Sequence, residues 1–116
     1  MGSACVYPRN AQQPIKEEYL LSNYLEPTND CYAIAKISGL KLCEALNIQY
    51  GFDAISLMPT NLYGPNDYFS DLDSHVIPAL IHRMQKTIEN DEDKFTVWGS
   101  GSPLREFLYV DDLSNF

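Results

Sequence analysis

The 116-residue sequence is short of several things, and each shortage narrows what it can do. Eight Lys and Arg stand against sixteen Asp and Glu, a net charge of −8. An acidic surface argues against nucleic acid as a generic partner, since a phosphate backbone is bound by a basic patch. An anionic small molecule held by a few local arginines stays compatible with that balance. The three cysteines, Cys5, Cys31 and Cys43, are odd in number and have no CxxC spacing, so they fit neither a disulfide framework nor a metal knuckle. No apolar run reaches membrane-spanning length, and the first residues lack the basic-then-apolar plan of a signal peptide. A reducing, cytoplasmic setting is the expectation. Glycine is sparse, at six residues. None sits in a GxxGxxG turn, the device that lets a helix N-terminus meet a dinucleotide pyrophosphate. The GSGS at Gly99–Ser102 leads into Pro103 instead of a helix, so it is not that device.

What is present is 45% hydrophobic residues, enough for one modest core. In the opening MGSACVYP, Ser3, Cys5 and Tyr7 alternate as along the end of a strand, which Pro8 then stops. An interrupted strand end at the first residue suggests that Met1 is an internal methionine of something longer. Residues 9–29 are polar and broken by prolines and read as a surface loop, with a helical turn around 16–21. Thr28, Asn29 or Asp30 caps a helix whose Ile34, Ile37, Leu40, Leu42 and Leu46 keep helical spacing up to Gly51. Asp53–Pro59 (DAISLMP) reads as a buried strand, and residues 61–74 read as a turn-rich loop. A second helix spans Val76–Glu89. Two short strands follow, FTVWG and REFLYV, and then a helix capped by Asp111 or Asp112 and cut off at Phe116. Strand, helix, buried strand, helix is the order of an α/β fold.

Chemistry enters with Tyr32 and Lys36, four apart on the first helix and therefore on one face. An ammonium beside a phenol favours phenolate and brings a group with an unperturbed pKa of ~10 towards acid/base work near neutrality. Spacing alone more often means a tyrosine packed on a lysine stem. The surroundings change that balance, because a strand-end Ser3 lies upstream across a long loop and PTNLYGP follows the next strand.

Five collinear stretches, GSACVYP, LEPTNDCYAIAK, MPTNLYGP, SHVIPAL and VWGSGSPLREFLYVDDL, span essentially the whole chain. Together they resemble the extended short-chain dehydrogenase/reductases, whose active site uses Ser, Tyr and Lys in that order. The cysteine of CVYP and the histidine of SHVIPAL make the chain most similar to the branch that turns GDP-4-keto-6-deoxy-D-mannose into GDP-L-fucose. The resemblance implies part of a Rossmann-like, doubly wound parallel sheet plus the start of a smaller substrate-binding domain. Residues 1–62 would be the C-terminal part of the NADP-binding Rossmann domain and 63–105 part of the substrate domain. Residues 106–116 would be a return strand and helix start.

The resemblance also distributes roles. Cys5 and His75 would move protons at C3 and C5 of the keto-sugar, for which a thiol and an imidazole are suited. NADP(H) would be the cofactor, Tyr32 the proton donor at C4, Lys36 the partner of Tyr32 and of the nicotinamide ribose, and Ser3 the hydrogen-bond partner of the C4 oxygen. Pro59, Asn61, Leu62 and His75 would run beside the nicotinamide. Arg83, Trp98 and Arg105 would hold the substrate nucleotide. Cys31 departs from the pattern, standing where many members have proline, while Cys43 reads as helix core. No metal is implied. The parent would be a homodimer. Two other readings stay open: an NAD-dependent sugar-nucleotide 4-epimerase or dehydratase of the same superfamily, and a catalytically idle fragment without its cofactor-binding half.

Overall fold

A computed structural model describes residues 1–115; Phe116 lies outside the described residues. The chain divides into two compact units, Met1–Thr60 and Asn61–Phe116.

The first unit is organised by one long helix, α1 (Asp30–Tyr50). Asn29 is its N-cap residue, and the Cys31 amide is taken by the Asp30 carboxylate at 2.6 Å. At the far end Gly51 adopts φ 68°, a left-handed value that an L side chain resists. There the Gly51 and Phe52 amides satisfy the carbonyls of Asn47 and Leu46, closing the helix. Only Ala33 and Ile37 of α1 are buried, against the turn Ala4–Val6, while Ile34 and Leu42 are exposed. The apolar residues therefore run round the helix and do not form one stripe, the pattern of a helix with more than one packing side. Val6 is fully buried, worth roughly 1.5–3 kcal/mol for a side chain of its size.

The opening residues do not continue as a strand. Ala4–Val6 forms a 3-10 turn, with Ser3 as its extended N-cap residue. Before it, the Gly2 amide donates to the Leu57 carbonyl at 2.8 Å. A Cβ at Gly2 would lie 2.4 Å from Met58 Sδ and 3.2 Å from the Leu57 carbonyl oxygen, so a larger residue there would push the Met58 side chain aside. Asp53–Pro59 is not a strand either; it lies extended without a ladder, and Asp53–Ile55 are exposed. A strand exists only through its partners, and among the described residues this one finds a single bond to Gly2. The helical turn expected around 16–21 is present as a 3-10 turn at Glu17–Tyr19.

The second unit is a two-stranded parallel sheet with its crossover helix. Strand β1 (Asn61–Tyr63) pairs with β2 (Phe107–Tyr109), and helix α2 (Val76–Glu89) lies on the connection between them, as parallel strands require. β1 falls where the sequence reads as loop. Its bonding is long-range, with the Asn61 amide and side chain both donating to the Glu106 carbonyl at 3.3 and 3.0 Å. Tyr63 and Tyr109 face each other in register with ring centroids 5.6 Å apart. Pro78 and Ala79 are the buried face of α2. Pro78 sits in the first turn, where its missing N–H costs no helical bond. FTVWG forms no ladder, and REFLYV is strand only at β2. Helix α3 (Val110–Ser114) starts one residue before the expected caps, so Asp111 and Asp112 occupy its first turn, where carboxylates favour the helix dipole.

Candidate active site

In the first unit the packing of α1 on the Ala4–Val6 turn brings together residues from opposite ends of a long loop. Ser3 Oγ accepts a hydrogen bond from the Cys5 amide at 3.3 Å, which fixes both residues on one tight turn. Lys36 is half-buried; its ammonium donates to the Met1 carbonyl at 3.5 Å and lies 5.5 Å from the centroid of the Tyr32 ring. Tyr32 is 49% exposed. Ser3 and Cys5 thus share one turn, Tyr32 and Lys36 one helix, and Lys36 reaches back to Met1 beside that turn. The remaining N–H groups of Lys36 have no protein partner among the described residues. Tyr32, Lys36 and Ser3 together supply two hydroxyls and an ammonium, a donor set suited to vicinal sugar hydroxyls and a carbonyl oxygen. Cys31 is exposed and Cys43 half-buried, beside a cavity and not in a sealed core.

That cavity, about 660 Å³, lies between Leu40, Cys43 and Asn47 of α1 and the 54–58 segment. Tyr7 and Glu17 also line it. Burial and the nearby Glu17 carboxylate raise Tyr7 above the ordinary phenol value.

In the second unit a cavity of about 260 Å³ gathers Asn61, Leu62, His75 and Arg105, four of the residues singled out in the sequence. His75 is the N-cap residue of α2, and its carbonyl accepts the first helical bond, from the Ala79 amide at 2.9 Å. Arg83 and Trp98 form a separate pair, with the guanidinium 4.5 Å from the indole centroid. Arg83 Nε donates to the Ala79 carbonyl at 3.3 Å and Nη1 to the Thr96 carbonyl at 3.1 Å. Among the described residues it forms no ion pair with a carboxylate, contrary to the ordinary fate of a surface arginine in so acidic a chain. Arg105 is exposed and donates to its neighbour Leu104's carbonyl at 2.9 Å.

Two features beside this cavity had no signal in the sequence. Ser74 lines it, with Oγ donating to the Ser70 carbonyl at 2.6 Å and accepting from the Ser70 amide at 3.1 Å. Asp71 is tied to α2 by Lys86 and, at 3.8 Å, by His82 Nε2. The Lys86 hydrogen bond, assisted by nearby positive charge, holds the Asp71 carboxyl below the usual range. At the end of β2, the carboxylate of Asp111 raises Tyr109. No group of His, Cys, Asp and Glu among the described residues is arranged to hold a metal ion, and no described helix is long and apolar enough to cross a membrane.

Comparison with known proteins places these units in a wider context. The whole chain, residues 1–116, matches the Epimerase family, described as the NAD dependent epimerase/dehydratase family. It is 59% identical over 115 residues to GDP-L-fucose synthase 1 of Arabidopsis thaliana, covering 99% of this chain and 36% of that protein. GDP-L-fucose synthase of Escherichia coli (strain K12) is 56% identical over 114 residues, covering 98% of this chain and 36% of that protein. The crystal structure of a GDP-L-fucose synthetase from Naegleria fowleri bound to NADP matches with a TM-score of 0.86 at 38% identity. That match covers 98% of this chain and 38% of the other. The chain spans about a third of the length of the curated relatives it matches.

Proposed function

The chain belongs to the NAD dependent epimerase/dehydratase family, and from that premise we propose that it carries the reacting groups of a GDP-L-fucose synthase. The reaction is NADPH-dependent epimerisation of GDP-4-keto-6-deoxy-D-mannose at C3 and C5, followed by reduction at C4 to GDP-L-fucose. The observation that carries this reading is the packing of α1 on the Ala4–Val6 turn, with Lys36 bonded to the Met1 carbonyl at 3.5 Å and 5.5 Å from the Tyr32 ring centroid. The names of the relatives point the same way.

The donor set fits one end of the cofactor. Lys36 keeps N–H groups to spare and Tyr32 is half exposed, so both can reach ribose hydroxyls beside the nicotinamide. When bound, NADPH supplies the hydride for C4. Tyr32 protonates the oxygen that becomes alkoxide there, with Lys36 keeping positive charge beside it. Ser3 hydrogen-bonds the same oxygen. The C4 ketone acidifies the hydrogens at C3 and C5, and Cys5 and His75 take and return those protons through enols of the sugar. Pro59, Asn61 and Leu62 run beside the nicotinamide.

Arg83 and Trp98 offer a cation stacked on an aromatic face, chemistry that suits a nucleotide diphosphate, and Arg105 adds a second guanidinium. In this reading residues 1–62 end the nucleotide-binding domain, 63–105 belong to the substrate domain, and 106–116 return to the sheet. The protein is a cytoplasmic homodimer.

The direct test is to incubate the protein carrying this segment with the keto-sugar and NADPH and follow absorbance at 340 nm. Stoichiometric loss of NADPH with appearance of GDP-L-fucose is expected. Interconversion of sugar nucleotides at C4 with no net NADPH consumption would assign the chain to the 4-epimerases instead.

A further inference from the structure

We propose that Ser74 is a positioning residue for His75, holding its backbone at the angle from which the imidazole reaches the substrate. The inference rests on the proton-transfer role proposed for His75. Residues 70–74 close on themselves: Ser74 Oγ donates to the Ser70 carbonyl at 2.6 Å and accepts from the Ser70 amide at 3.1 Å. One hydroxyl therefore satisfies both backbone groups of a residue four positions earlier, something no aliphatic side chain can do. Inside the closed loop the Leu72 amide donates to Ser70 Oγ at 3.3 Å. Asp71, within the loop, is anchored to α2 through Lys86, with His82 Nε2 at 3.8 Å.

His75 follows immediately and is fixed from the other side as well, since its carbonyl accepts from the Ala79 amide at 2.9 Å. Its own side chain makes no capping bond. The residue is thus bonded through its own carbonyl on the helix side and preceded by a closed loop on the other, while its imidazole makes no capping bond. Ser74 and His75 line the same cavity with Asn61 and Arg105. A proton carrier needs this combination: a free ring on a fixed stem, because small misplacements of a reacting group are costly.

The test uses the whole protein with Ser74→Ala, Ser74→Thr and the near-isosteric Ser74→Cys, whose thiol is a weak hydrogen-bonding group. Three quantities are measured: amide hydrogen exchange over residues 70–75, solvent deuterium incorporation at C3 and C5 without NADPH, and oxidation of GDP-L-fucose by NADP+. Ser74→Ala and Ser74→Cys should lose amide protection at 70–75 alone. Deuterium incorporation should slow by about ten- to a hundredfold, with the hydride step changed much less. Ser74→Thr, which keeps the hydroxyl, should restore both protection and incorporation. Equal losses in the proton and hydride steps in both Ala and Cys variants would overturn the proposal, as would unchanged incorporation despite a loosened loop. Absence of incorporation in the unaltered protein would refute the role given to His75. The amide measurement then decides alone whether Ser74 fixes the loop, and unaltered protection in the Ala and Cys variants overturns it.

Discussion

Lys36 makes one long hydrogen bond, to the Met1 carbonyl at 3.5 Å, and stands 5.5 Å from the Tyr32 ring. At the scale of single residues the proposed chemistry divides between this pair, which serves the hydride step, and Cys5 with His75, which serve the proton steps. The division has an observable consequence in the whole protein. Tyr32→Phe removes the hydroxyl but not the ring, so reduction should fall by several orders of magnitude while deuterium still enters at C3 and C5. Cys5→Ser should suppress incorporation first, because a serine hydroxyl is a far weaker acid than a thiol. Loss of incorporation in a folded Tyr32→Phe variant would show that one residue serves both steps. The residue types and their spacing were legible from the sequence. The hydrogen bond from the Cys5 amide to Ser3 Oγ was not, because it depends on a turn that reads as strand.

At the scale of elements, the two long helices follow their sequence signals closely and the strands do not. A helix satisfies its backbone four residues away, so the spacing up to Gly51 contains most of the information needed for α1, even though the Asn29 side chain makes no capping bond. A strand needs a partner that the local sequence does not name. Asn61 is bonded to Glu106 across 45 positions, and nothing in NLYGP announces it. The short, apolar character of Asp53–Pro59, bounded by Gly51 and Pro59, reads as buried strand, yet among the described residues that segment has no ladder to join.

The loop before α2 shows a related effect. Asp71 looks like one more solvated acid in sequence, but the fold sets it against Lys86 and His82. Because its carboxyl is held below the ordinary value of ~3.9, the attachment is complete above that pH and is lost only as pH falls through the lower folded-state value. Carboxyl carbon NMR should place the Asp71 midpoint below that of an ordinary aspartate. Lys86→Met should return it towards the ordinary value, since the hydrogen bond from Lys86 is the largest cause. The same titration with and without Lys86 gives the sign directly; a midpoint indifferent to Lys86 would remove the ion pair as the cause.

At the scale of the whole molecule, few apolar side chains among the described residues are buried: Val6, Ala33, Ile37 and Ala79, with the rings of Pro8 and Pro78. The accessible surface is 9108 Å². Two separate globular units of half this mass would expose only roughly 7,700 Å² between them by the usual scaling. Ile48, Ile55, Leu72 and Leu104 are each more than three-quarters exposed, and a soluble surface seldom presents so many large apolar groups. The 116-residue chain by itself should therefore bind a hydrophobic dye such as ANS and melt without a sharp cooperative transition in calorimetry. A single steep transition with no dye binding would show that this small core suffices.

The sequence by itself determined the helices, the net acidic charge, and the set of residue types from which an acid/base active site can be assembled. Each of these is written in neighbours a few positions apart or in composition. The tertiary structure decided which segments pair as β1 and β2, that Ser3 and Cys5 share a turn, and that Arg83 stacks on Trp98 without a carboxylate partner. It also decided that a serine four residues from its partner closes the loop before His75. The strand pairing and the Arg83–Trp98 stack depend on contacts between distant positions, where the free energy of an arrangement is set by what the rest of the chain brings alongside. The Ser3–Cys5 and Ser70–Ser74 bonds are short-range but form only in one of the turn conformations open to those residues.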